Sequence, residues 1–199
     1  MIVAGLTGSI AMGKSETARM FAAQGIPVFD SDAAVHALYE KGGDAVAAIG
    51  SIAPSAIIQG GVDRQKLAAI IQAQPSLLPR IEAAVHPLVQ KMQARFLADA
   101  AAAGSDMALL DVPLLFETGR EKDVDVVIVV SAGERLQRER ALSRPGMTAE
   151  KFDFILSRQM PDEQKRAQAD YVIDTSSSLA DTAREVERVI ADIRAKSRQ

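Results

Sequence analysis

Five short apolar runs stand out along the chain: Ile2 to Leu6, Ile26 to Asp30, Met107 to Asp111, Val124 to Val130, and Tyr171 to Asp174. They are nearly continuous and lack the in-out alternation of a half-exposed strand, so they read as strands covered on both faces of a parallel sheet. Parallel strands need crossovers, and helical stretches separate most of the runs. The pattern predicts an α/β, three-layer fold with a parallel sheet of about five strands. Ligands of such a sheet gather beyond the C-terminal ends of its strands. Residues 9–15, 30–32 and 111–115 sit at those ends.

Two regions interrupt the strand-helix alternation. From about Ala34 to Asp106 the chain is rich in Ala, Gln and Ile, with helical spacing over Arg64–Gln74 and Pro79–Ala103 after a Gly60-Gly61 turn. This reads as a helical insertion at 34–106, suited to covering an acceptor. Residues 134–166 carry eight of the chain's 23 basic residues around the break Ser143-Arg144-Pro145-Gly146. They read either as a solvated helical surface or as a basic lid over phosphate. The nucleotide-binding core then comprises 1–33, 107–133 and 167–199. A last amphipathic helix is expected over Ser178–Gln199, with Val186, Val189, Ile190 and Ile193 on its buried face.

The first run leads into Gly8-Ser9-Ile10-Ala11-Met12-Gly13-Lys14-Ser15, which has the pattern G-x-x-x-x-G-K-[ST] between a strand and a helix. Such a loop turns successive backbone N–H groups inward around a phosphate chain, with the positive helix end behind them. Gly8 and Gly13 supply turns that a Cβ would obstruct. Lys14 reaches the terminal phosphates and the Ser15 hydroxyl takes a position on Mg²⁺. The protein is therefore expected to bind a nucleoside triphosphate. With the lid, that makes it a small-acceptor kinase. The rivals are a kinase of another acceptor (a nucleoside monophosphate, gluconate or shikimate) and a non-catalytic ATP-binding regulator.

Composition narrows the choice. The chain has 199 residues, is 48% hydrophobic and carries a formal net charge of -3, which argues against a general nucleic-acid binder. It has no cysteine, which excludes disulfides and thiolate chemistry. It also lacks asparagine, which the guanine-recognition motif of a GTPase switch requires. No apolar stretch reaches membrane-spanning length, so no membrane partner is expected and the cytoplasm is the expected compartment.

Phosphoryl transfer needs a carboxylate to receive the acceptor's proton. Asp32 is the candidate, just beyond the end of the second run; the competing role for Asp30 or Asp32 is to cap the helix that starts there. Asp111 ends the third run, either holding Mg²⁺ through water or serving as a turn residue before Pro113.

With these pieces in place the sequence resembles the dephospho-coenzyme A kinase family. The resemblance rests on residues 5–10 leading into the loop, Phe29-Asp30-Ser31-Asp32, Val85-His86-Pro87, Asp111-Val112-Pro113-Leu114-Leu115-Phe116-Glu117, Gln159-Met160, and Ala169 to Ile173. It implies transfer of the ATP γ-phosphoryl group to the ribose 3′-hydroxyl of dephospho-CoA, with a helical domain over the substrate and a lid. It also implies a catalytic set of Asp32 (general base), Lys14 and Arg140, the last a lid arginine on the phosphates. ATP is then bound by Gly8, Ala11, Met12, Gly13, Lys14, Ser15 and Glu16. The acceptor is lined by Asp32, His86, Leu115, Phe116 and Glu117, and the metal positions are Ser15 and Asp111. From the residues alone, His86 reads as a helix-face residue before a proline.

The partners so implied are ATP and dephospho-CoA, with Mg²⁺ and without nucleic acid, acting on a monomer or weak homo-oligomer. Three loop positions depart from the family pattern G-G-I-G-S-G-K, namely Ser9, Ala11 and Met12. Their N–H groups stay available provided Ala11 is not required to take a positive φ. Glu16 stands where Thr or Ser is common and is expected to point away from phosphate.

Overall fold

The computed structural model describes residues 1–196. β1 (Ile2–Thr7) runs through the glycine-bounded loop into α1 (Lys14–Ala23), and β2 (Val28–Asp30) turns directly into α2 (Ser31–Tyr39). Next come α3 (Val46–Ile52), the short strands β3 (Ile57–Ile58) and β4 (Gly61–Val62), α4 (Arg64–Ala73) and α5 (Leu78–Ala102). The chain returns through β5 (Met107–Asp111) and β6 (Val126–Ser131). It then passes through α6 (Glu134–Leu142), α7 (Ala149–Leu156) and α8 (Asp162–Gln168), and ends in β7 (Tyr171–Asp174) and α9 (Leu179–Lys196).

β2, β5, β1, β6 and β7 form one five-stranded sheet in that order, as the apolar runs predict. β1 pairs in parallel with β5 (Leu6 opposite Asp111) and with β6 (Thr7 opposite Val129), and β6 pairs in parallel with β7. Every residue of β5 is buried. Leu6, Leu109, Ile128 and Ile173 share a core with Phe21 of α1 and with Val186, Val189, Ile190 and Ile193 of α9. Coverage on both faces is why these strands carry no polar alternation.

Two strands start later than their apolar runs. Pro27 has no N–H for a ladder, though its carbonyl accepts the Leu109 N–H at 2.8 Å. Asp125 turns its carboxylate onto the Val3 N–H at 2.8 Å, taking a donor that a ladder carbonyl would use, so β6 begins at Val126. The C-terminal helix begins after Ser178, whose hydroxyl accepts the Asp181 N–H at 3.1 Å while the Asp181 carboxylate accepts the Ser178 N–H. The expected end of that helix, 197–199, lies outside the described residues.

By packing, the chain divides into two units: Met1–Phe29 with the residues from Ala100 onward, and Asp30–Asp99. The second is helical except for the β3–β4 hairpin, whose turn places Gln59 (φ 50°) and Gly60 (φ 84°) in the left-handed region. Two-residue strands are too short to register as an apolar pattern. Asp63 caps α4 by accepting the N–H groups of Gln65 and Lys66, each at 3.0 Å. Among the described residues no helix is long and apolar enough to cross a membrane.

Leu109 is fully buried in the strand next to β1. Leu109→Ala should lower the unfolding free energy by about 2–5 kcal/mol, read from the midpoint of urea denaturation at constant slope.

Candidate active site

The loop after β1 lies against β6. The parallel register puts Gly8 beside Val130, and a Cβ on Gly8 would stand 2.4 Å from Val130 Cγ2 and 2.9 Å from its carbonyl oxygen. Gly8 is thus needed for close approach, whereas Gly13 is needed for its φ of 93°. The loop closes on itself through Met12 N–H to the Ser9 carbonyl at 3.2 Å. Ala11 has φ 62°. The loop therefore does place Ala11 at positive φ, contrary to the condition drawn from the sequence, because its turn falls at that residue. For a residue with a Cβ the left-handed region costs about 1–2 kcal/mol.

No side chain caps α1, since Gly13 occupies the cap position. The Gly13 carbonyl takes the N–H groups of Glu16 and Thr17 at 3.1 Å each. Lys14 and Ser15 occupy the first two helical positions, whose N–H groups have no carbonyl within the helix. Together with the helix dipole they suit an anion.

The Lys14 ammonium is ion-paired with the buried carboxylate of Asp111. The apolar run predicted a carboxylate at that strand end, and the β1–β5 register brings it beside the loop. Thr7 Oγ1 donates to the Pro113 carbonyl at 3.2 Å, tying the end of β1 to the segment after β5. Ser15 is exposed, and the Glu16 carboxylate is taken up by Arg19 one turn along α1.

Arg140, on α6, donates from Nη2 to the Thr175 carbonyl at 2.7 Å and from Nη1 to Thr175 Oγ1 at 3.3 Å. Thr175 Oγ1 in turn donates to the Met12 carbonyl at 2.7 Å. Beside these groups is a cavity of about 250 Å³ lined by Ala11, Gly13, Glu16, Arg140, Arg144 and Thr175 among others. Thr175 and Arg144 were missed as site residues by sequence reasoning. The strand-end rule that singled out Asp111 applies equally to Thr175 after β7, while Arg144 is one of the eight basic residues of 134–166 and nothing in its local sequence singles it out from them.

Glu117 faces inward. Its Oε1 accepts the Met160 N–H at 2.8 Å and lies 2.8 Å from Nζ of Lys165, which is 0% exposed. The contact with Lys165 is ionic, since Nζ meets no oxygen in hydrogen-bond alignment among the described residues. Leu115 and Phe116 are also buried, and Leu114 is the exposed member of that segment.

In the helical unit Asp30, not Asp32, caps α2 by accepting the Ala33 N–H at 2.9 Å. That leaves Asp32 exposed in the first turn of α2. His86 is exposed on α5 immediately before Pro87. Arg64 contacts the His36 imidazole. Burial pushes the Tyr39 phenol pKa up, with Arg64 acting in the opposite direction.

A strand-loop-helix turn at the C-terminal end of the central strand of a parallel sheet, with a lysine at the start of its helix and an arginine lining the cavity beside it, defines a P-loop kinase core. A model of the dephospho-CoA kinase family (CoaE) matches residues 1–181. The dephospho-CoA kinase of Agrobacterium fabrum is 51% identical over 190 residues, covering 96% of this chain and 97% of that protein. A Thermus thermophilus protein of known crystal structure superposes with a TM-score of 0.82 at 32% identity, over 96% of this chain and 97% of its own. The dephospho-CoA kinase of Campylobacter jejuni shares the fold, with a TM-score of 0.72 at 23% identity over 98% of each chain. The chain belongs to the dephospho-CoA kinase family. Its reaction class is that family's, phosphoryl transfer from ATP to a small-molecule acceptor.

The buried Lys165–Glu117 pair yields a stability test. Glu117→Gln leaves the lysine buried without its counter-charge and should cost about 3–5 kcal/mol, measured by denaturant unfolding. Unchanged stability would mean that Lys165 has another route to neutralisation.

Proposed function

We propose that the protein transfers the γ-phosphoryl group of ATP to the ribose 3′-hydroxyl of dephospho-CoA, yielding coenzyme A and ADP in the last step of coenzyme A synthesis. The observation that carries this reading is the family match across residues 1–181, which takes in both units and the intact phosphate loop. In this reading the backbone of Gly8 and residues 11–16 wraps the triphosphate, and Lys14 and Arg140 offset charge developing on the transferred group. Arg144 and Thr175 extend the same cavity toward the rest of the nucleotide.

Asp32 is proposed as the base that takes the 3′-hydroxyl proton, and the capping by Asp30 supports this by leaving Asp32 free of that task. His86 contributes to the acceptor side. Leu115, Phe116 and Glu117 are proposed for acceptor binding by the same family resemblance.

Magnesium is a further part of the proposal. Among the described residues no group of three or more His, Cys, Asp or Glu side chains could hold a metal. The residues that fit are Ser15 and Asp111, one hydroxyl and one carboxylate, a sparse set typical of a magnesium ion that arrives with nucleotide phosphates. The ion supplies charge neutralisation on the phosphates when bound. The protein is proposed to work in the cytoplasm as a monomer or weak homo-oligomer.

The test is product analysis with Mg·ATP and dephospho-CoA. Equal amounts of ADP and coenzyme A are expected; ADP without coenzyme A would move the acceptor assignment to another small molecule, and no ADP would leave a binding role. Lys14→Ala should lower turnover by about a hundredfold or more. Asp32→Asn should lose about a hundredfold or more in kcat while the KM for ATP stays within about twofold. Wild-type turnover by Asp32→Asn would remove it as the base.

A further inference from the structure

The loop's left-handed alanine is flanked by an unusual pair of contacts. The Ile10 N–H donates to Gln159 Oε1 at 2.9 Å, and the Ile10 carbonyl accepts from Gln137 Nε2 at 2.9 Å. Both groups of one loop residue are thus held by side chains from outside the loop, on α6 and on the α7–α8 connection. That carbonyl belongs to the peptide bond entering Ala11. Turning Ala11 from φ 62° toward the right-handed region rotates this peptide plane and carries the oxygen away from Gln137. On the far side of Ala11, Met12 is fixed as well, because its sulfur accepts the Ala132 N–H at 3.1 Å and its carbonyl accepts Thr175 Oγ1 at 2.7 Å.

Both glutamines are themselves anchored. Gln137 is 3% exposed and sits three residues before Arg140, on the same face of α6. Gln159 precedes Met160, whose N–H is bonded to Glu117, the partner of buried Lys165. The clamp is therefore built on the two segments that frame α7.

We propose that Gln137 and Gln159 are positioning residues that hold the two peptides flanking Ile10, Gln137 the one that enters Ala11, so that a residue with a Cβ can keep the left-handed turn the phosphate loop requires. The inference rests on the nucleotide-binding reading of the loop. A glycine at position 11 would take this conformation unaided. In this chain the restraint comes from the two segments that frame α7, so the form of the phosphate cradle depends on them. If the glutamines merely satisfied two half-buried backbone groups, their loss would lower stability alike with either residue at position 11.

The test is a double-mutant cycle on the full chain with Mg·ADP, using titration calorimetry for Kd and thermal unfolding as a check on folding. Gln137→Leu should weaken ADP binding by about tenfold and raise the KM for ATP similarly, with the KM for dephospho-CoA within about twofold. Adding Ala11→Gly should restore ADP binding to within about threefold of wild type. Ala11→Gly alone should raise the thermal unfolding midpoint, because glycine carries no penalty at φ 62°, a reading available even if the glutamine variants fail to fold. Wild-type ADP affinity in folded Gln137→Leu, an equal loss with glycine at position 11, or a lower unfolding midpoint for Ala11→Gly would each overturn the inference and leave the nucleotide reading intact. Failure of the unsubstituted protein to bind ADP would overturn both.

Discussion

The contact between Gly8 and Val130 sets the distance from which the rest of the site is built. Because β1 and β6 pair in parallel with Thr7 opposite Val129, the chain leaving β1 passes over the end of β6 with no room for a side chain. At that separation Met12 reaches the Ala132 N–H with its sulfur, and Thr175, at the end of the next strand, reaches the Met12 carbonyl. Arg140 is then fixed on Thr175. The order β5-β1-β6-β7 matters for the same reason, since it gathers Asp111, the loop, Ala132 and Thr175 beyond the C-terminal ends of adjacent strands.

Two buried charges serve this arrangement differently. Asp111 keeps an opposite charge beside Lys14, so the ammonium is held at the loop. Lys165 and Glu117 bind the α7–α8 connection to the segment after β5. A buried pair of this kind adds little net stability, but losing one partner is costly, so it fixes geometry more than it stabilises.

The parts legible in the sequence were those encoded by neighbours along the chain. The loop from Gly8 to Ser15 is contiguous, the five apolar runs became the five strands of the sheet, and the apolar face of the last helix was buried as its spacing indicated. What stayed hidden depends on partners distant in sequence. Gln137 lies in Arg135-Leu136-Gln137-Arg138-Glu139-Arg140, which reads as a solvated helix, yet it is buried against a residue 127 positions away. Lys165 looks like a surface cation in a charged helix and is among the most buried side chains in the chain. The left-handed φ of Ala11 could not be read locally, because alanine gives no signal for it.

The same loop has a consequence for the entropy of binding. At Ser9, Ala11 and Met12 it carries side chains that narrow the backbone's range, and Met12 and Ser9 are themselves buried. A glycine-richer loop samples many shapes and must surrender that freedom when it wraps a phosphate. This one has already surrendered most of it on folding. Its order is charged to the stability of the protein, and the ligand meets a cradle whose shape is settled before it arrives.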